Sequence, residues 1–255
     1  MQQEQGQRGP SFNGTLPQLL AAQAERYGTA GAAIREKAYG IWQTYHWEDY
    51  LRYVRHTALG LVALGCRRGE SVGVITNNHP EWLFSELGSQ SIGGVTLNLF
   101  TSAVAEELSV SLNRIQAAYV FVQDQEQADK LISSRQKLDH VRRVIYIDPT
   151  GMGSYAGDPW LISFRELLKM GEELDRERPS LFDSELLQGK PEETALMIQT
   201  SGTTGLPKLA MLSHRNLTAI GESWIEAVSI MPGENWLSMS PRSEERRVGK
   251  ECRSR

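Results

Sequence analysis

Cysteine is nearly absent: 255 residues contain only Cys66 and Cys252. Two cysteines so far apart make no disulfide framework and no metal-ligand spacing, and the expected setting is reducing and cytoplasmic. Charge of one sign is also missing. The formal net charge is −4, from 27 Lys and Arg against 31 Asp and Glu. No strongly basic face follows from that balance, so nucleic acid is not an expected partner. Long hydrophobic runs are lacking too. The longest, Ala58–Cys66, is interrupted by Gly60 and Gly65 and falls far short of the roughly 20 residues of a membrane span. The start, "MQQEQGQRGPSFNG", has neither a basic n-region nor an apolar h-region and reads as no signal peptide. None of this excludes attachment to a membrane surface.

What remains is ordinary globular composition, 40% hydrophobic and 23% charged. Residues 1–14 are polar and Gly-rich, a flexible lead-in. Thr15 is placed to cap a helix through Tyr27, with Leu16, Leu19 and Leu20 inward. "GIWQTYHW" (40–47) alternates like a strand. Tyr50, Leu51, Val54, Ala58, Leu61 and Val62 then recur at helical spacing up to Gly65. From there a rhythm sets in. "SVGVIT", "GVTLNL", "AYVFV" and "RVIYI" are strand-like runs. Between them lie a helix opened by Pro80, a stripe of Val104, Leu108, Leu112 and Ile115, and a stripe of Ala128, Leu131, Ile132 and Leu138. Strands alternating with helices predict crossover connections, hence an α/β fold with a largely parallel sheet and flanking helices.

Residues 148–192 are less regular, with a short helix over "SFRELLKMGEEL". "TALMIQT" (194–200) and "LAML" (209–212) follow as strands, then a helix begun by Ser213 with Leu217, Ile220, Trp224 and Val228 as its apolar side. "GENWLSMSP" (233–241) ends in a strand-like segment. Trp42, Trp47, Trp82 and Trp224 lie on apolar periodic faces, and core packing is expected for them. The Glu pairs at 106–107, 172–173 and 192–193 read as solvated, and His46, His56, His79 and His140 as surface or core residues.

The densest chemistry lies between those last two strands, in "QTSGTTGLPK" (199–208). Small residues leave backbone N–H groups unobstructed, so they can converge on an anion. Thr200, Ser201, Thr203 and Thr204 add hydroxyl donors, Gly202 and Gly205 allow close approach, and Lys208 adds a mobile positive charge. A plain turn needs far less. The spacing is not that of the common ATPase loop, whose G-x-x-x-x-G-K-[ST] opens directly into a helix. The loop therefore reads as a cradle for a phosphate chain. His214, just downstream, either faces this loop or supports the helix N-terminus; both readings stay open.

"TSGTTGLPK", continued by "MLSHRNL", resembles the signature phosphate loop of the adenylate-forming enzymes: acyl-CoA synthetases, luciferases and peptide-synthetase adenylation domains. Within them the chain is similar to bacterial-type long-chain fatty acid–CoA ligases, on "TLPQLLAAQAERYG", "YGIWQTYHWEDY", "DQEQADKLI" and "VRRVIYIDPTGM". The likeness runs through residues 15–241, and one departure is Leu209, where most relatives carry Gly.

The resemblance implies ATP, Mg2+ and coenzyme A as cofactor and substrates, with a fatty acid as the carboxylate. Acyl-AMP forms first, then acyl-CoA. Thr200–Gly205 and Lys208 would hold the phosphates, with Lys208 stabilising the departing pyrophosphate. The resemblance also implies that the adenine, ribose and Mg2+ ligands and much of the acyl pocket belong to later sequence. On that reading the chain is an incomplete N-terminal part of the adenylate-forming large domain, inactive alone, with peripheral membrane contact allowed for the full-length protein. The alternatives are an adenylating enzyme for an aryl or amino acid, against which "DQEQADK" and "IYIDPTGM" argue, and a short non-catalytic nucleotide-binding module.

Residues 242–255, "RSEERRVGKECRSR", break the pattern with six Lys or Arg, three Glu and almost nothing apolar. A basic solvated arm is the simple reading. The run Arg242–Cys252 also matches, codon by codon, an in-frame translation of a sequencing-library adapter. The tail is therefore expected to be non-native and to pack on nothing.

Overall fold

The computed structural model describes residues 12–38, 40–200 and 208–238. Helix α1 (Leu16–Tyr27) is started by Thr15, whose hydroxyl accepts from the Gln18 N–H while the Gln18 side chain accepts from the Thr15 N–H. Strands β1 (Ala32–Ala38) and β2 (Ile41–His46) then form a separate antiparallel hairpin. The chain continues through α2 (Trp47–Ala63), β3 (Ser71–Ile75), α3 (Pro80–Ser91), β4 (Val95–Asn98) and α4 (Ala105–Arg114). Next come β5 (Tyr119–Val122), α5 (Gln125–Ser133), β6 (Arg143–Tyr146), β7 (Leu161–Ser163), α6 (Phe164–Glu177) and α7 (Leu181–Gln188). Strands β8 (Thr194–Thr200) and β9 (Lys208–Ser213) and helix α8 (His214–Val228) close the described part.

The main sheet has seven strands in the order β7-β6-β5-β3-β4-β8-β9. Every neighbouring pair is parallel except β8 with β9. The expected α/β fold with a largely parallel, helix-flanked sheet is the fold observed. Strand periodicity of two divides the core between the sheet's faces. Val72, Val74, Tyr119, Phe121 and Ile145 meet Val54, Ala58 and Leu61 of α2 and Phe164 and Leu167 of α6. Ile75, Leu97, Val120, Val122 and Val144 meet Leu108 and Leu112 of α4 and Ala128 and Leu131 of α5. Strand β5 is buried on both faces, which is why "AYVFV" shows no polar alternation.

Helices α2 and α6 cross very closely, and two glycines permit it. A Cβ on Gly171 would stand 1.9 Å from the His56 carbonyl oxygen, and one on Gly60 would stand 2.4 Å from that of Leu167. Helix α3 is buried almost all round, and its serines satisfy themselves on the preceding turn. Ser89 Oγ donates to the Ser85 carbonyl and Ser91 Oγ to that of Leu87, both at 2.7 Å.

Several expectations need correction. Trp42 and Trp224 are 62% and 58% exposed, not core, and Val104 sits exposed at the start of α4. On α8, Ile220 and Val228 are exposed as well. The apolar spacing was there in each case, strand-like at Trp42 and helical at the others, but spacing cannot supply a covering element. The stretch 233–238 forms no strand, and residues 239–255, with the tail, lie outside the described residues. Strands β1 and β7 and helix α7 were not expected from the sequence.

Candidate phosphate-loop hairpin

The loop of interest is the turn of an antiparallel hairpin made by β8 and β9. Strand β8 is parallel to β4, so it delivers the loop to the carboxyl edge of the sheet, where α/β folds bind ligands. Thr200 and Lys208 are cross-strand partners at the mouth of the turn, and both are exposed. Thr200 Oγ1 donates to the Lys208 carbonyl at 3.2 Å, closing the ladder. Ser201, Gly202, Thr203, Thr204 and Gly205 lie outside the described residues. Of the expected site, the structure thus places its two flanking residues together, one hydroxyl and one cation facing solvent.

The base of the hairpin is anchored from one side. Gln199 Nε2 donates to Ser111 Oγ, which in turn donates to the Glu107 carbonyl of α4. Leu209, opposite Gln199 in the ladder, packs against the core that α4 and α5 cover. Leu209 thereby covers the sheet at the base of the hairpin.

A polar rim follows along the same edge. Just beyond β3, the Asn77 N–H donates to Gln123 Oε1 at 2.8 Å, and Thr101 Oγ1 donates to Asn77 Oδ1 at 3.1 Å. Gln123 and Thr101 follow β5 and β4. These residues sit at three strand ends next to the hairpin, and sequence reasoning missed them. The available signal was position: each falls within three residues of a strand's carboxyl end.

His214 does not face the loop. It stands just past the other end of β9, about 20 Å of extended chain away from Lys208. Its ring is buried, its Nδ1 accepts from the Leu16 N–H at 3.2 Å, and burial pushes its pKa down to about 4. The neutral ring thereby satisfies an otherwise orphaned donor at the start of α1. Of the two open readings, helix support is the one observed. The Cys66 thiol is pushed up to about 12 by burial, which keeps it protonated and a poor nucleophile. Among the described residues, no group of three or more His, Cys, Asp or Glu could hold a metal ion. Among them also, no helix is long and apolar enough to cross a membrane.

The sequence model for the AMP-binding enzyme family matches residues 20–243. A long-chain-fatty-acid–CoA ligase of Bos taurus, ACSBG1, is 29% identical over 221 residues, which cover 86% of this chain and 29% of that relative. The chain therefore spans about three tenths of the curated relatives it matches. Among solved structures, the long-chain-fatty-acid–CoA ligase FadD1 of Archaeoglobus fulgidus superposes with a TM-score of 0.68 at 23% identity, over 86% of this chain and 41% of that one. The anthranilate CoA ligase AuaEII in complex with anthranoyl-AMP gives 0.61 at 23% identity, over 82% and 36%. At such identities the superpositions speak for the fold alone.

Proposed function

The chain belongs to the AMP-binding enzyme family, and from that premise we propose that its full-length form activates a long-chain fatty acid with ATP. We read residues 15–241 as the front part of the adenylation domain, inactive by itself, and 242–255 as non-native. The observation that carries the reading is the hairpin mouth: an exposed Thr200 and Lys208 held across a ladder at the carboxyl edge of a parallel sheet.

In the proposed first step a fatty carboxylate oxygen bonds to the α-phosphorus of ATP, the bond from that phosphorus to the bridging oxygen breaks, and pyrophosphate leaves. Negative charge gathers on the leaving group. Lys208 and the hydroxyl and amide donors of Thr200, Ser201, Gly202, Thr203, Thr204 and Gly205 meet it without changing protonation. One donor in the oxyanion hole of an acyl-transfer enzyme is worth about 2.7–4 kcal/mol, which sets the scale. Bound with the nucleotide, Mg2+ would supply charge neutralisation, and in this reading its protein ligands belong to later sequence; among the described residues no group of three or more His, Cys, Asp or Glu could hold it. In the second step the coenzyme A thiol attacks the acyl carbon and AMP leaves; this chain's described residues take no assigned part in it. The fatty substrate rests on the curated relatives' names; the anthranilate ligase keeps an aryl acid as the second reading.

In the full-length protein, Lys208→Ala is expected to slow acyl-adenylate formation, read as pyrophosphate exchange, at least about a hundredfold. Transfer from preformed acyl-AMP to coenzyme A should change far less. Equal slowing of both half-reactions would refute the assigned role. Comparing palmitate with anthranilate as the activated acid separates the two substrate readings.

A further inference from the structure

The β1–β2 hairpin stands outside the main sheet and has two unlike faces. Cross-strand partners share a face. Glu36 lies opposite Gln43 and Ile34 opposite Tyr45; Ile34 and Tyr45 pack against the core, and Glu36 bonds His79 Nδ1 at 2.6 Å. The other face pairs Arg35 with Thr44 and Lys37 with Trp42. All four of those side chains are exposed, and no carboxylate shares the face. At the tip, beyond a left-handed Gly40, Ile41 and Trp42 are 63% and 62% exposed.

Leaving an isoleucine and a tryptophan in water at a hairpin tip gains nothing for folding. Their surroundings indicate what they meet. A tryptophan ring settles at the headgroup level of a bilayer, and cations beside it are drawn to anionic lipid. Binding at such a surface strengthens with the apolar area buried in it and with the attraction of cations to anionic lipid. The tip carries both within one strand pair, and its basic face has no acidic residue to repel phosphate. We propose that the tip of this hairpin, with Trp42, Arg35 and Lys37 on the outward face and the exposed Ile41 next to the turn on the other, docks the protein on an anionic lipid surface. The inference stands on the hairpin's own surface and holds whichever acid the enzyme activates.

The test uses the full-length protein, without residues 242–255, and sedimentation with vesicles of phosphatidylcholine, with and without phosphatidylglycerol. The protein is expected to bind the anionic vesicles and to release at about 0.5 M salt. Ile41→Ser with Trp42→Ser should lower the partition coefficient at least about tenfold. Arg35→Gln with Lys37→Gln should lower it about fivefold per cation and abolish the preference for anionic lipid. Because α8 also exposes apolar side chains, Trp224→Ser is the reference and should change little. A second readout covers variants that fold poorly. An environment-sensitive dye on Ile41→Cys should shift to the blue on anionic vesicles and be quenched by acyl-brominated lipid. No vesicle binding, or equal binding in both hairpin variants, overturns the proposal. So does a dye that stays water-like on bound protein. A blue shift that grows with protein concentration and needs no vesicles would assign the tip to a second copy of the chain, and would overturn it too.

Discussion

Strands β5 and β9 belong to one sheet and live in opposite environments. Strand β5 lies between β3 and β6, and all four of its residues are buried. Among the described residues, strand β9 is an edge with β8 its only neighbour, and Met211 on it is 69% exposed. The helices repeat the contrast. Helix α2 buries seven residues, whereas only His214 is buried in the fifteen residues of α8. Beneath β8, between α1, α3 and α8, opens a cavity of about 660 Å³ walled by Leu19, Leu83, Leu87, Leu196, Leu212 and Leu217. Both parts of the molecule carry apolar sequence. The difference is the number of elements laid against it, so apolar pattern measures a capacity for burial and neighbours decide whether it is used.

The largest contrast should come from truncation. Phe121→Ala, in the closed part against Phe164, should cost about 3–5 kcal/mol by urea unfolding. Trp224→Ala, on the open helix, should stay within about 0.5 kcal/mol. A comparable loss at Trp224 would break the comparison by showing that the α8 face is covered in solution.

Acid should strike where the open edge is pinned to α1. The folded pKa of His214 is depressed below its ordinary 6.5, so the unfolded chain binds the proton first. Stability from this group is whole above about pH 6.5 and drains as pH falls towards 4, by up to about 3 kcal/mol, with no further loss below. Urea midpoints across that window should slope for the wild type and flatten in His214→Gln. A slope that survives the substitution assigns the acid sensitivity elsewhere.

At the α2–α6 crossing, Gly171→Ala should cost about 1–3 kcal/mol, because backbone rather than a flexible side chain must yield. A neutral result would mean that the crossing can slide. The smallest effect belongs to the hairpin mouth: Lys208→Ala should shift stability by less than about 0.5 kcal/mol, as an exposed residue does. A larger loss would make Lys208 structural and weaken its reading as a ligand for phosphate.

Much of the fold was legible. Thr15 as a cap, Pro80 as a helix start and Gly65 as a stop all act locally, through backbone donors and allowed dihedrals, so short windows reveal them. Strand β1 escaped because Arg35, Glu36 and Lys37 interrupt its apolar character, and β7 because three residues carry no period. Trp42 was misjudged because a strand period says which residues share a face, and nothing about which face meets the body. The hairpin mouth was legible from chemistry packed into ten consecutive residues. The rim of Asn77, Thr101 and Gln123 was not, since only the sheet order brings three separate strand ends side by side.

The sequence by itself determined the succession of strands and helices, the parallel sheet that such alternation demands, and the chemical character of the loop before Lys208. Those rest on interactions a few residues long: hydrogen-bond periodicity, capping and the side chains a loop presents. Only the tertiary structure decided that Trp224 stays in water while Phe121 does not, and that His214 serves α1 instead of the loop. It alone put Arg35, Lys37 and Trp42 on one outward face. Burial and facing are properties of pairs of surfaces, and the second surface of each pair comes from a distant part of the chain.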